Sequence, residues 1–282
     1  MSLTDTYTLA NGVKIPKVGF GTWQTPDGDV ARESVVAAIK AGYRHIDTAA
    51  IYGNEVSVGE GIKESGVARE ELFITTKLWN DKHSYELAKE ALAESLEKLD
   101  LDYVDLYLIH WPNPIDFRAD WAGANAGAWK AMEEALAAGK VRAIGISNFK
   151  PNHIDALLET ATVKPMVNQI FLNPSDMQKE VVAHNDKHGI LTEAYSPLGT
   201  GKIFEVPELS ELAKKYNKTV AQVVLRWSLD HGYLPLPKSV NAERIQENAD
   251  IFDFELNQED IAYLDGLHGV AGIAHNPDTA NF

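Results

Sequence analysis

Four side chains stand out by type and place: Asp47 and Tyr52 in "RHIDTAAIYGNE" (44–55), Lys77 in "LFITTKLW" (72–79) and His110 in "YVDLYLIHW" (103–111). A phenol with a pKa of about 10 is a poor proton donor at neutral pH unless a cation favours its ionised form. Lys77 can supply that charge, and Asp47 beside it would keep the ammonium protonated against the desolvation of a buried site. His110, neutral, could hydrogen-bond a substrate oxygen and orient it. Such a group suits a general acid that protonates the oxyanion formed when a carbonyl is reduced.

These residues need elements that end at one place. Short apolar, β-branched runs at 17–23, 43–49, 72–79, 103–111, 141–149, 165–171, 189–196 and 233–239 alternate with helix patterns such as 31–42, 84–100 and 126–140. Alternation implies right-handed crossovers and a parallel sheet buried on both faces. Eight repeats in about 230 residues predict a closed (β/α)8 TIM barrel. A doubly wound open sheet is the alternative, but "GFGTWQ" and "GTGKIF" both lack the third glycine of its dinucleotide fingerprint. Residues 6–16 alternate around Asn11-Gly12, which predicts a hairpin with a two-residue turn capping one end. One barrel domain over 1–282 is expected, with no linker or low-complexity segment.

In such a barrel the C-terminal strand ends share one mouth. Here the exits read Asp47, Lys77, His110, Ser147-Asn148, Gln169, Tyr195-Ser196 and Lys238-Ser239, while Trp23, Trp79 and Trp111 directly follow three of the strands. Polar strand ends are common where a chain surfaces, but an acid, a lysine and a histidine at three successive exits are not. Aromatic walls around a few convergent polar groups describe a small-molecule pocket.

Composition excludes other classes. With 282 residues, 45% hydrophobic and 24% charged, the chain can bury a large core and long disorder is not expected. The absence of cysteine excludes disulfides, thiolate nucleophiles and zinc ribbons, and fits a reducing, cytoplasmic home. The opening "MSLTDTYTLANG" has no secretory pattern, and no apolar run approaches the ~18 residues of a membrane span. A formal charge of −15 repels nucleic acid and anionic lipid, so neither is an expected partner, and an anionic ligand must meet a local positive cluster.

Carbonyl reduction needs a hydride source, and with no flavin or metal motif a nicotinamide is the candidate. "SPLGTGK" (196–202) offers glycines that let backbone N–H groups approach a pyrophosphate. "PKSVNAERIQEN" (237–248) places Lys238, Ser239, Asn241 and Arg244 at the last strand-to-helix turn, where a helix N-terminus favours phosphate. Arginine grips a 2′-phosphate bidentately, so the basic pair argues for NADPH over NADH.

Other signals are set aside. His184 and His188 have the spacing of a metal pair, but Asn185 stands where a zinc protease needs glutamate, and no metal is expected. A hydrolase with paired carboxylates would want two acids at strand exits, whereas Glu193 lies one strand position too early to join Asp47.

The motifs "GYRHIDTAAIYGNE", "ITTKLWN", "DLYLIHWP", "IGISNF", "VNQI", "YSPLGTGK" and "PKSVNAERIQEN" occur in an order that resembles the aldo-keto reductase superfamily over essentially the whole chain. Among its members the sequence looks most like small bacterial reductases of the 2,5-diketo-D-gluconate reductase type. The resemblance implies a catalytic tetrad of Asp47, Tyr52, Lys77 and His110, with Tyr52 donating a proton while NADPH delivers hydride. It implies a nicotinamide stacked on Tyr195, a carboxamide held by Ser147, Asn148 and Gln169, and adenine near Asn248. The cofactor surface is expected to include Thr22, Trp23, Asp47, Ser196, Leu198, Gly199, Gly201, Lys238, Ser239, Val240, Asn241 and Arg244. Substrate is expected against Trp23, Tyr52, Trp79, His110 and Trp111. Small dicarbonyls, keto-sugar acids such as 2,5-diketo-D-gluconate and aromatic aldehydes are the candidate substrates, and the family leans towards a monomer with a C-terminal tail over the mouth. The sequence departs from the pattern at Phe171 and Asn173, where relatives usually carry Glu and His, and its tail lacks an arginine often found there. An NADPH-binding redox sensor or scaffold with poor turnover is the alternative within the same superfamily.

Overall fold

A computed structural model describes residues 2–282. Two short strands, β1 (Thr6–Thr8) and β2 (Lys14–Pro16), form an antiparallel hairpin. Eight more follow in parallel: β3 (Phe20–Gly21), β4 (His45–Asp47), β5 (Phe73–Leu78), β6 (Val104–Ile109), β7 (Val141–Ser147), β8 (Val167–Phe171), β9 (Leu191–Tyr195) and β10 (Leu234–Pro235). Each pairs with its sequence neighbour, and the ring closes where Gly19 N–H donates to the Pro235 carbonyl (3.1 Å) and Gly21 N–H to that of Pro237 (3.0 Å). This is the expected (β/α)8 barrel.

The seam explains why its two strands are shorter than the apolar runs 17–23 and 233–239 suggest. Pro235 and Pro237 accept across it but have no N–H to return, so the ladder there runs in one direction. The central strands have no such limit: β5 and β6 are buried along their whole length, as strands covered on both faces must be. Gly19 faces the barrel interior, where a Cβ would come within 2.5 Å of Leu236 and 2.6 Å of the His45 ring. Only glycine leaves room for that buried histidine.

Helices cover the outside. Tyr85–Leu99 starts where the Ser84 hydroxyl accepts from Leu87 N–H, and Val220–Asp230 starts on a reciprocal Thr219–Gln222 capping box. The pattern at 126–140 belongs to a longer helix, Trp121–Ala137, whose start is fixed by the Asp120 side chain accepting from Gly123 N–H. Its small residues carry too little apolar signal to reveal that first turn.

The hairpin plugs the N-terminal end of the barrel, with Asn11 donating to the Arg142 carbonyl at the start of β7. Its turn differs from expectation. Leu9 N–H donates to Val13 O and Gly12 N–H to Leu9 O, giving a three-residue loop with Gly12 at φ 87°. At the opposite end the tail crosses the mouth. Asp278 accepts from Asn113 (2.9 Å) and pairs with His153 (2.8 Å), while Arg118 donates to the Ala280 carbonyl (2.8 Å). An arginine from the loop after β6 thus reaches the tail that carries none. Among the described residues no helix is long and apolar enough to cross a membrane.

Candidate active site

Asp47 closes β4, Lys77 lies just before the end of β5, His110 follows β6, and Tyr52 ends the one-turn helix Ala50–Tyr52. Strand alternation aims Asp47 and Lys77 into the barrel mouth. Lys77 Nζ donates to Asp47 Oδ1 (2.6 Å), to the Thr48 carbonyl (2.8 Å) and to Tyr52 Oη (3.2 Å), which uses all three ammonium protons. The Tyr52 and His110 rings meet edge to face at 5.9 Å, and Trp79 meets His110 at 5.1 Å.

The electrostatics follow from burial. Burial alone would strip the proton from Lys77, but the Asp47 carboxylate, with the Tyr52 contact, outweighs it and holds the ammonium above its ordinary pKa. Tyr52 is also raised. Burial pushes it up and Asp47 adds to this, while Lys77 pulls it down without winning. Lysine therefore tempers the rise rather than making the phenol acidic outright, which corrects the simplest expectation. His110 is held well below its ordinary value by burial, then by Lys77 and His83, so it is neutral. Its Nδ1 is buried without a hydrogen-bond partner.

A second set joins this one through hydrogen bonds. Gln169 Nε2 donates to Asp47 Oδ2 (2.8 Å), and Ser147 Oγ donates to the Gln169 carbonyl (2.7 Å). Asn148 Nδ2 donates to the His110 carbonyl (3.0 Å) and accepts at Oδ1 from Tyr195 Oη (2.8 Å). Thr22 Oγ1 donates to the Asp47 carbonyl (2.9 Å). Gln24, Asn148, Ser196 and Thr200, each shortly after a barrel strand, hold left-handed φ of 56°, 62°, 48° and 54°. Such backbone costs about 1–3 kcal/mol per residue and gathers where geometry serves a site; no sequence pattern announces it.

The loop after β9 differs from expectation in detail. Gly199 and Gly201 donate their N–H groups to Ser196 and Leu198 carbonyls within the loop. A Cβ on Gly199 would lie 2.7 Å from that of Ala271, so this glycine is demanded by the tail. Farther round, Lys238 donates to the Gln24 carbonyl (3.3 Å), and Asn241 caps the helix Ala242–Ala249 by accepting from Arg244 N–H (3.0 Å). Val240 is exposed, Ser239 is half-buried, and Asn248 is buried on the same helix. Lys238 and Arg244 are exposed and, among the described residues, neither has a carboxylate within 4.0 Å. Two free cations at a helix N-terminus, on a chain of charge −15, are a donor set that fits a phosphate. No hydrogen bond or ion pair among the described residues links this segment to the loop 196–202.

The profile of the Aldo/keto reductase family matches residues 17–268. The chain belongs to that family. It is 51% identical over 281 residues to the glyoxal reductase of Bacillus subtilis (strain 168), covering 100% of this chain and 99% of that protein. It is 43% identical to the methylglyoxal reductase DkgA of Escherichia coli (strain K12), covering 96% of each. The Bombyx mori aldo-keto reductase, solved in complex with NADP, superposes with a TM-score of 0.85 at 42% identity, covering 93% of this chain and 92% of that one. As a member of the family the protein is an NADP(H)-dependent oxidoreductase.

The aldo/keto reductase has one site-adjacent acid that differs from the sequence expectation. Glu193, fully buried on β9, accepts at Oε2 (2.8 Å) from the same Gln169 nitrogen that donates to Asp47. Its parity with Tyr195 along β9 was the available signal, since alternate residues share a face. His45, Nε2 to Thr75 Oγ1 at 2.9 Å, lies 3.8 Å from Glu193 Oε1 in the layer below. The departures from the family pattern also have partners: Phe171 packs edge-on against Tyr195 at 5.9 Å, and Asn173 donates to the Ser196 carbonyl (3.0 Å), fixing the start of the loop.

Burial, then the charge of Asp47, pushes the Glu193 carboxyl up to about 8 against the pull of Gln169 and Lys77. The folded protein keeps this proton at neutral pH, whereas an unfolded carboxyl ionises at about 4.5. Its contribution to stability is complete below that value and is lost as pH rises through about 8. Glu193→Gln is expected to flatten the fall in unfolding free energy that this carboxyl imposes between about pH 4.5 and about pH 8, read by urea titration. His45, pushed down to about 3 by burial and Lys77, contributes the opposite slope between that value and the unfolded 6.5, so the comparison is cleanest from about pH 6.5 to about pH 8. An unchanged slope in the variant would place the proton elsewhere.

Proposed function

We propose that this aldo/keto reductase reduces small aldehydes and ketones, dicarbonyls of the glyoxal and methylglyoxal type foremost, with Tyr52 as the proton donor. The observation that carries the reading is Lys77 Nζ set between Asp47 Oδ1 (2.6 Å) and Tyr52 Oη (3.2 Å) at the barrel mouth. Bound NADPH would supply the hydride. The chain's own task is then to steady and protonate an oxygen that gains negative charge. His110 Nε2 orients that oxygen, Tyr52 gives up its proton, and the resulting phenolate stays beside the Lys77 ammonium. Asp47 keeps that ammonium charged throughout.

Ser147, Asn148 and Gln169 are the polar groups suited to a carboxamide, and Tyr195 offers a ring beside them. Lys238 and Arg244 are suited to a 2′-phosphate, with Asn248 at the adenine and Ser239 and Asn241 at the helix start. Phe282 stands 4.7 Å from the Trp111 ring and 6.4 Å from that of Trp79, which narrows the opening and favours small dicarbonyls over keto-sugar acids and bulky aromatic aldehydes. Glyoxal and methylglyoxal reductases among the relatives support the same substrate class.

The test is a panel of glyoxal, methylglyoxal, keto-sugar acids and aromatic aldehydes, followed by the loss of reduced-cofactor absorbance with NADPH and with NADH. Turnover is expected to be fastest with the dicarbonyls, and NADPH is expected to bind about 10–100-fold more tightly than NADH, the worth of one charge-assisted hydrogen bond. Tight NADPH binding without turnover of any carbonyl would favour a sensing or scaffold role instead.

A further inference from the structure

On the outside of the barrel, far along the chain from the tetrad, Asp155, His184 and His188 hold their coordinating atoms within 4.8 Å of one another. The two histidines are four residues apart on the helix Lys179–His188, so one turn places them on the same face, with ring centroids 4.7 Å apart. Asp155 comes from the neighbouring helix Pro151–Leu158. Its Oδ1 lies 2.7 Å from His184 Nε2 and 3.8 Å from His188 Nε2. No glutamate stands between the histidines, so the sequence pattern alone predicts no metal. The fold supplies a carboxylate from another element.

Proximity is not the whole argument. Both imidazoles turn the same nitrogen towards one carboxylate oxygen, and a His184–Asp155 hydrogen bond accounts for only one of them. His188 Nε2 is shielded from solvent and makes no hydrogen bond, Asp155 Oδ1 being 3.8 Å away. The rings are mostly covered, at 13% and 18% exposure, whereas the Asp155 side chain is 58% exposed and free to adjust. Tetrahedral zinc with bonds of about 2.0–2.2 Å sets its ligand atoms roughly 3.3 Å apart. Reaching that spacing means widening one Asp–His separation and narrowing the other, each by about half an ångström, while the two imidazole nitrogens already lie within 4.8 Å of each other. The helix also ends at His188, where its carbonyl dipoles favour a cation. Lys164 and Lys187 lie near enough to His188 to weaken the hold, so a modest rather than a tight site follows.

We propose that Asp155, His184 and His188 form a binding site for a borderline divalent cation, zinc foremost, with water in the fourth position. Two imidazoles and one carboxylate suit zinc and its late first-row neighbours, not magnesium or calcium, which take oxygen ligands. The ion would clamp the helix that follows β7 to the one that follows β8. Since the first of these begins at Pro151, directly after Ser147 and Asn148, the clamp ties an outer surface to the backbone that carries those side chains.

The test titrates metal-free full-length protein with zinc against a chromophoric chelator, and with cobalt for the visible absorption of a tetrahedral site. One zinc per chain is expected, unaffected by excess magnesium, together with a zinc-dependent rise in Tm. His188→Ala and Asp155→Asn should each weaken zinc by about 100-fold or more, since even outer-shell partners are worth 10–100-fold. They should also abolish the Tm rise while leaving turnover of the metal-free enzyme intact. The protein has nine histidines, so binding by the unaltered chain alone would not suffice. Zinc affinity unchanged in both variants, or no stoichiometric uptake by the unaltered protein at micromolar zinc, would overturn the proposal.

Discussion

Tyr52→Phe is expected to lower turnover of a dicarbonyl by about 10²–10⁴-fold, the usual worth of a general acid, while NADPH still quenches tryptophan fluorescence. The change removes one oxygen and keeps the ring that meets His110 at 5.9 Å, so packing at the mouth survives. Lys77 is not orphaned either, because Asp47 Oδ1 and the Thr48 carbonyl still accept from it. Loss of rate without loss of binding would therefore isolate the proton. The pH dependence should agree: with burial holding Tyr52 above the ordinary tyrosine value, the protonated form persists through neutral pH, and rates should fall only on the far alkaline side. Equal loss of turnover and cofactor binding would mark Tyr52 as structural.

Lys77→Met is expected to cost stability as well as rate. Lys77 is fully buried and Asp47 nearly so, and deleting the ammonium leaves a carboxylate in a dry layer with only Gln169 donating to it. Removing one partner of a buried pair typically destabilises by about 3–5 kcal/mol, and the Gln169 bond argues for the lower end. Urea unfolding of the single variant and of Asp47→Asn/Lys77→Met separates the causes. The double variant should recover part of the loss, because it no longer buries a lone charge, yet it should stay inactive because the phenolate has no cation beside it. A double variant no more stable than the single one would show that the cost is packing rather than charge.

Much of this was legible in the chain. Eight apolar runs separated by helical periodicities define a parallel barrel because covalent spacing alone sets which residues can be buried on two faces. The same spacing put an acid, a lysine and a histidine at successive exits of one mouth. Boundaries were less legible. At the seam, prolines that cannot donate shortened β10; at Asn11-Gly12, the backbone closed a three-residue loop where two residues were expected; and at Trp121, an Asp120 cap began a helix ahead of its apolar pattern.

What the tertiary structure alone decided is which distant groups share a dielectric. Gln169 reaches Asp47 across 122 residues of sequence and brings Glu193 with it, although parity on β9 was the only hint that this acid turned inward. Asp155 meets two histidines from the next helix, which no motif within either segment could announce. The sign of the Tyr52 shift belongs here too: the sequence named the cation that lowers it, but only the packed barrel sets how much water is excluded, and exclusion wins. Residue type and local period are written along the chain. Desolvation and long-range pairing arise when the ring of strands closes, because they depend on separations through space that sequence separation does not fix.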